Sequence, residues 1–185
     1  MTTISIYPKT VIAHLLIFTF HITQMPTIHL ETIINSTLEI CFDLSRSIDL
    51  HVESTATTNE TAISGITTGL IGIGESVTWQ ATHFGIRQRL TSHITAYNRP
   101  YHFCDEQVKG AFRYFVHDHY FESRDGHVVM KDTFRYRAPF GILGTVAERL
   151  VLTNYLTKLL THRNNLIKKY AETGKWQSVL PSTVQ

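Results

Sequence analysis

The chain has 185 residues, 43% of them hydrophobic and 17% charged, a balance that suits one globular domain with a sizeable core. The formal net charge of +2 is small and Lys and Arg are scattered, which argues against a nucleic-acid-binding protein because such a surface needs clustered cations. Cys41 and Cys104 lie far apart without CxxC spacing, so the sequence indicates neither a disulfide framework nor a zinc ribbon, and a cytoplasmic location is expected.

The first 24 residues are expected to lie outside the fold. Residues 11–22 form an apolar run too short for a membrane span, which needs about 20 apolar residues, so no stable span is expected. We interpret residues 1–24 as an upstream extension; a secretory signal and a membrane-surface anchor remain alternatives. The predicted ligand-binding domain covers residues 25–175, and residues 176–185 form a predicted C-terminal tail.

The predicted elements begin with a strand over residues 27–34, which are rich in β-branched side chains. Ser36 and Glu39 then form an S-x-x-E capping box that opens a short helix over residues 37–44. A second short helix is predicted over residues 47–53, and it completes a strand–helix–helix unit at the start of the domain.

Residues 55–61 are polar and irregular, and glycines then occur at positions 65, 69, 72 and 74. The order of these glycines fits neither GxGxxG nor a Walker loop, so nucleotide binding is not indicated. We interpret this segment as a flap at a cavity mouth, with Leu70, Ile71 and Ile73 exposed, or else as an ordinary connecting loop.

An antiparallel meander and a long helix complete the domain. Five alternating strands are predicted over residues 75–84, 86–97, 101–108, 113–122 and 127–137. A second capping box, Thr145 with Glu148, opens the long helix, and Gly174 follows its end. The expected length of roughly 40 Å is enough to cross a whole sheet.

The Asp125-Gly126 turn sets the pairing of the last two strands. It places His119 opposite Asp132 on the more apolar face, which we expect to point inward. The same hairpin places three further pairs on that face, namely Phe121 with Met130, His117 with Phe134 and Phe115 with Tyr136.

Two other turns are predicted to position the remaining inward side chains. A turn at Phe84-Gly85 pairs Trp79 with Leu90. A turn at Asn98-Arg99 is expected to pair Ser92 with Asp105, Ile94 with Phe103 and Leu90 with Gln107. The concave face of the predicted sheet therefore mixes large apolar groups with a few polar ones.

This α+β order of elements resembles the helix-grip fold of the SRPBCC superfamily, which includes START domains, the birch-pollen-allergen family and aromatic polyketide cyclases. The residues that carry the resemblance are "VTWQATHFGIRQRLTSHIT", "FCDEQVKGAF", "HDHYFE", "MKDTFRYRAPFGILG", "ERLVL" and "RNNLIKK". The resemblance covers residues 27–172 and is closest to the bacterial ligand-binding SRPBCC proteins. It implies a curved antiparallel sheet wrapped on a long C-terminal helix, with a hydrophobic or amphipathic small molecule held between them.

Three readings compete for His117, His119 and Asp132. Two histidines and one carboxylate are typical ligands of a metal ion, but their spacing on two strands makes a complete set only if the side chains converge. The same groups suit acid/base chemistry. A hydrogen-bonded cavity lining is the interpretation we favour, because a buried aspartate needs a partner and a facing imidazole provides one.

Two functions of different class follow. A non-catalytic carrier or sensor is favoured, without metal or cofactor, and its oligomeric state is left open. The alternative is a polyketide cyclase/dehydratase-like enzyme that uses His119 with Asp132 or Asp105 for acid/base chemistry. The predicted ligand-binding residues are Trp79, Leu90, Ser92, Phe103, Asp105, Phe115, His117, His119, Met130, Asp132, Phe134 and Tyr136.

Overall fold

The computed structural model describes residues 25–139 and 151–181. They form seven strands and three α-helices. In chain order these are β1 (Thr27–Ile34), α1 (Leu38–Ser45), α2 (Ile48–Ser54), β2 (Thr61–Gly65), β3 (Ser76–His83), β4 (Ile86–Asn98), β5 (His102–Lys109), β6 (Tyr114–Arg124), β7 (His127–Arg137) and α3 (Thr153–Thr173).

All seven strands belong to one antiparallel sheet with the order β1-β7-β6-β5-β4-β3-β2. The long helix α3 packs on the inner face, where it contacts β1, α1 and α2. Its buried side chains lie on one face because they recur at helical spacing, as Leu156, Leu160 and Ile167 do. The predicted helix-grip fold, with two short helices after the first strand and a long C-terminal helix, is confirmed.

The predicted β6–β7 register is confirmed pair by pair. Asp125 and Gly126 both adopt positive φ, at 52° and 77°, which matches the right-handed twist of the two strands. His119 therefore lies opposite Asp132, and His117 lies opposite Phe134. The pairing of Trp79 with Leu90 across β3 and β4 is confirmed as well.

The predicted β4–β5 register is wrong by two residues at Ser92 and Ile94, which lie opposite Gln107 and Asp105. Beside the turn it is wrong by three, since Phe103 lies opposite Tyr97. The turn holds three residues instead of two, and two irregularities interrupt the ladder. Because side chains alternate with a period of two, the shift of two leaves Asp105 and Gln107 on their predicted face, and the irregularity between Ile94 and Ala96 absorbs the extra residue near Phe103.

Two local predictions need correction. Strand β2 was missed because it is a short edge strand, paired only with β3 and mostly exposed, so it lacks an alternating apolar pattern. The first helix is capped by Thr37 instead of Ser36, since the Thr37 side chain accepts a hydrogen bond from the amide of Ile40 at 3.3 Å.

The glycine-rich segment is anchored at its centre. Ile71 was predicted to be exposed, but only 5% of it is, and its amide donates to the carbonyl of Arg46 at 3.2 Å. Gly69 accepts a backbone hydrogen bond from Ile48 at 2.9 Å. Ile73 is exposed as predicted. The segment is therefore fastened to the corner between α1 and α2, which leaves little freedom for a flap at Ile71.

The helix α3 has 21 described residues and spans roughly 31 Å. It ends at Gly174, whose φ of 74° suits the left-handed conformation of a C-terminal cap. The predicted capping box at Thr145 and Glu148 lies outside the described residues, as do residues 1–24. No helix in the described ranges is long and apolar enough to cross a membrane.

The chain beyond α3 folds back onto the core. A short 3₁₀ helix covers Lys175–Ser178, and Leu180, at 6% exposure, joins the main hydrophobic cluster. Trp176 and Val179 pack against that cluster too. The packed part of the domain thus reaches Leu180, five residues past the boundary placed at residue 175.

Candidate functional site

Two neighbouring cavities lie between the inner face of the sheet and α3. The larger, called here the apolar cavity, has a volume of about 400 Å³. The smaller, called the polar pocket, has a volume of about 100 Å³. Trp79 lines both cavities, so the two are neighbours at its side chain.

The apolar cavity lies at the β3–β4 hairpin, beside the first described turn of α3. Its lining residues are Glu60, Trp79, Ala81, His83, Phe84, Gln88, Arg89, Leu90, Ala111, Phe112, Ala138, Pro139, Val151, Leu152, Tyr155 and Leu156. Most of these side chains are aliphatic or aromatic, and the volume is within the range of small-molecule sites, so the cavity suits an apolar guest.

Phe84 forms one lip of the apolar cavity. It occupies the hairpin turn with a positive φ of 52°, a conformation that bulky residues rarely adopt. Its ring is 60% exposed and lies 4.7 Å from the ring of Tyr155 on α3, measured between centroids. An aromatic pair therefore bridges the sheet and the helix at the mouth.

A few polar groups interrupt the apolar wall. His83 Nδ1 and the Tyr155 hydroxyl lie 2.7 Å apart, and Glu60 lies 3.6 Å from His51 Nε2. Burial opposes ionisation of Glu60, but its contact with His51 and the nearby His83 outweigh that effect and lower its pKa. The carboxylate at this wall is therefore a hydrogen-bond acceptor at neutral pH.

The polar pocket contains two histidines and two aspartates in mutual contact. Asp132 Oδ1 lies 3.0 Å from His117 Nε2 and 2.8 Å from His119 Nδ1. The His119 contact is close enough for an ion pair, but it lacks the alignment of a hydrogen bond. On the other side, Asp105 Oδ1 lies 3.2 Å from His119 Nε2 and 3.9 Å from His117 Nδ1.

Helix α3 supplies the other groups of this cluster. Asn164 donates to Asp132 Oδ2 at 2.6 Å, so both oxygens of that buried carboxylate are engaged. Arg163 is 8% exposed and donates through one terminal nitrogen to the carbonyl of Ser45. Its other terminal nitrogen, Nη1, has no hydrogen-bond partner in the described part of the chain.

The polar pocket contains four titratable groups, namely two carboxylates and two histidines whose pKa values shift in opposite directions. Burial opposes ionisation of Asp105 and Asp132, yet contacts with the histidines lower both pKa values, that of Asp132 strongly. Burial would also lower the pKa of His119, but the two carboxylates outweigh it and raise that pKa. Burial and the charge on His119 lower the pKa of His117. His119 is therefore the more basic of the two histidines.

Of the predicted ligand-binding residues, seven line one or both cavities. They are Trp79, Leu90, Ser92, Phe103, Asp105, His117 and His119. The other five lie in the packed interior behind the cavity walls. They are Phe115, Met130, Asp132, Phe134 and Tyr136.

Several lining residues were not anticipated from the sequence. Arg163 and Asn164 stand between Leu160 and Ile167 on the buried face of α3, and a charged residue at that helical spacing is a signal that was available. Phe112 and Tyr155 reach the apolar cavity from a loop and from the helix. No strand-pairing argument locates such residues.

A second histidine–aspartate pair lies on the outer face of the same strands. His102 Nε2 and Asp118 Oδ1 are 3.0 Å apart, and Arg135 pairs with Asp118 Oδ2 at 2.5 Å. The side chain of Arg135 is 41% exposed, and it is the second partner of Asp118 in this outer pair.

Comparison with known proteins shows which fold this is. No protein-family model and no curated protein matches the sequence. The chain is similar to the solved structure of TTHA0849 from Thermus thermophilus, with a TM-score of 0.62 and 14% identity over 80% of this chain and 100% of that one. It is also similar to major latex-like protein 151 from Panax ginseng, with a TM-score of 0.58 and 14% identity over 80% and 97% of the two chains.

A third similar structure is that of KanY protein, with a TM-score of 0.63 and 10% identity over 80% of this chain and 99% of that one. At such identities the likeness shows the fold alone. It agrees with the sheet order, the paired short helices and the long C-terminal helix found here. The chain therefore has the helix-grip fold.

Proposed function

We propose that this protein binds a hydrophobic or amphipathic small molecule in the apolar cavity, as a carrier or sensor. The observation that carries the proposal is the cavity of about 400 Å³ lined mostly by aliphatic and aromatic side chains. Burying a ligand surface against such a wall is favourable by about 25 cal/mol per Å². The fold alone would not support this step, because it hosts carriers, sensors and enzymes alike.

The polar groups at the wall favour an amphipathic ligand over a pure hydrocarbon. Glu60 offers an ionised carboxylate, and the His83–Tyr155 pair offers a donor and an acceptor. A ligand with one hydroxyl or amine satisfies Glu60 while its apolar body lies against Trp79 and Phe112. This division into an apolar wall and few polar groups is typical of sites that orient their ligand.

A pair of neighbouring substitutions tests the proposal. Ala81 is buried and lines the apolar cavity, whereas Thr82, the next residue of β3, is exposed on the opposite face. We expect Ala81→Trp to fill the cavity and to abolish binding of an apolar fluorescent probe such as anilinonaphthalene sulfonate. Thr82→Trp adds the same indole outside and is expected to leave binding at one probe per chain.

The proposal fails if Ala81→Trp folds, as judged by near-ultraviolet circular dichroism, and binds the probe like the wild-type chain. Wild-type protein should also release the probe when a long-chain fatty acid or a polycyclic competitor is added. Native mass spectrometry of freshly purified protein gives an independent readout, since a retained apolar molecule would appear as a defined mass increment.

The second candidate is a cyclase/dehydratase-like enzyme, favoured by the position of His119 between two carboxylates. Its ring nitrogens lie 3.2 Å from Asp105 and 2.8 Å from Asp132, an arrangement that suits proton transfer. His119 and the apolar cavity are linked through Trp79, which lines both the polar pocket and the apolar cavity. If the protein is a dehydratase, the molecule retained by a His119→Gln variant should be heavier by one water than that retained by the wild type. A carrier retains the same mass in both.

A further inference from the structure

Three side chains of the polar pocket offer metal-ligand atoms at close range. One atom each from Asp105, His117 and His119 lies within 4.8 Å of the other two. The converging atoms are Asp105 Oδ1, His119 Nε2 and His117 Nδ1, because Asp105 Oδ1 lies 3.2 Å from the first nitrogen and 3.9 Å from the second. Ligands bound about 2.1 Å from a common ion stand roughly 3 to 3.5 Å apart, so small side-chain movements complete the site.

Asp132 turns both histidines toward this point. Its Oδ1 lies 3.0 Å from His117 Nε2 and 2.8 Å from His119 Nδ1, which leaves the opposite ring nitrogens facing Asp105. Asn164 holds the second oxygen of Asp132 at 2.6 Å. A carboxylate that holds the non-ligating nitrogen of a histidine is the usual outer partner of a metal-bound imidazole.

Two buried nitrogens at this site are left without a hydrogen bond among the described residues. His119 Nδ1 is close to Asp132 but poorly aligned, and Arg163 Nη1 has no partner. Nδ1 of His117 makes no hydrogen bond within the described ranges either, its nearest acidic atom being 3.9 Å away. Unmet polar groups in a pocket are the sign of a missing partner. Of these atoms, only His117 Nδ1 faces Asp105 with a free lone pair, and a cation is a partner that would satisfy it.

The charge balance permits a divalent ion. Asp105 and Asp132 contribute two negative charges, and Arg163 on the facing helix contributes one positive charge that opposes the cation. The pocket of about 100 Å³ leaves room on the open side for water or for a polar group of a ligand. Arg163 Nη1 lines that same pocket and is available to an oxygen bound there.

We propose that Asp105, His117 and His119 bind a divalent first-row transition ion, of the Zn²⁺ or Fe²⁺ class, with Asp132 orienting both imidazoles. Two histidines and one carboxylate with open positions are the donor set that such ions prefer. The carboxylate ligand is Asp105, not Asp132 as the metal reading of the sequence supposed. The metal site does not depend on ligand binding in the apolar cavity, so either proposal can fail without the other.

The test uses the full chain without a polyhistidine tag, stripped with a chelator and titrated with Co²⁺ and then Zn²⁺. Visible absorption of bound Co²⁺ reports nitrogen and oxygen coordination, and Zn²⁺ should displace it at one ion per chain. We expect Asp105→Asn and His117→Gln each to weaken binding on the order of 100-fold or more, and Asp132→Asn to weaken it roughly 10- to 100-fold.

The outer pair provides matched controls. His102→Gln and Asp118→Asn change the same residue types on the same strands, β5 and β6, but on the opposite face. Both should bind the ion as tightly as the wild type. Asp105 is the mildest site to alter on the inner face because its side chain is 20% exposed, so Asp105→Asn has the best prospect of folding.

A measurement on the wild-type chain needs no variant. In a sample with labelled histidine rings, Co²⁺ should shift and broaden the ring signals of His117 and His119 and leave those of His102 in place. The proposal is overturned if the folded chain shows no coordinated Co²⁺, if the His117 and His119 signals do not move, or if Asp105→Asn and His117→Gln bind as tightly as the controls.

Discussion

The apolar cavity and the polar pocket lie against the same helix, yet they are built in opposite ways. Around Leu152 and Leu156 the sheet and α3 leave about 400 Å³ unfilled. Two helical turns further along α3, around Arg163, the polar pocket has a volume of only about 100 Å³. Polar side chains that contact one another fill the rest of the space there. Charged groups are costly to bury without partners, whereas apolar walls tolerate an empty space that a ligand later fills.

Substitutions in the two cavities are also expected to differ in whether they change stability or ligand binding. In the polar pocket almost every group depends on its neighbour, so a single change there should be felt by the whole fold. Side chains around the apolar cavity have fewer neighbours to lose. Substitutions there should alter binding more than stability, and the following predictions test that contrast from the largest effect to the smallest.

Asp132→Ala is expected to destabilise most, by about 3 kcal/mol, because it strips the partner from His117, His119 and Asn164 at once. Urea unfolding followed by circular dichroism measures the change. The double variant with His119→Ala should cost less than the sum of the single variants, since both remove the same interaction. Glu122→Ala, which removes an exposed ion pair with Lys131, is the control, with an expected cost under about 1 kcal/mol.

Ile167→Ala should destabilise by roughly 3 kcal/mol and Leu156→Ala by about half as much. Ile167 is 1% exposed within the main core, whereas Leu156 borders the apolar cavity and already lacks neighbours on that side. Thermal unfolding of the two variants side by side measures the difference. Equal losses would mean that the space beside Leu156 is closed in solution.

Glu60→Gln is expected to change the pH dependence of stability by about 1 kcal/mol. Because the folded-state pKa of Glu60 is lowered, its contribution is present above its unfolded pKa and is lost as pH falls through the folded value. His51 and His83 face the carboxylate, and Tyr155 senses its charge. The gap between wild type and variant in urea unfolding should therefore be wider at pH 6 than at pH 3; a constant gap would contradict this.

The smallest effect is expected from a chain that begins at Met25. The described residues that line both cavities lie between Ser45 and Arg163, so we expect the cavities to survive removal of residues 1–24. The melting temperature should shift by no more than a few degrees, which corresponds to about 1 kcal/mol. A larger drop, or loss of probe binding, would show that residues 11–22 contribute to the domain.

Much of the inner face was predictable from local sequence. The Asp125-Gly126 turn determines the β6–β7 register, and the period of two then places His117, His119 and Asp132 on one side. Once the turn residues of a hairpin are known, the cross-strand neighbours follow by counting outward along both strands. This part of the candidate site follows from the chain order alone.

The remaining site depends on elements that meet only in the folded molecule. Asp105 reaches the histidines because β5 pairs with β6 in a register that places Asp105 opposite His117, and the connection between these two strands carries no two-residue turn signal that predicts this register. Arg163 and Asn164 arrive from a helix more than thirty residues beyond Asp132 in sequence. Whether aromatic residues fill a core or line a cavity is likewise decided by how far α3 stands from the sheet. Sequence patterning dictated which side chains face inward, and only tertiary packing decided which of them touch, because a distance between elements is a property of the whole fold.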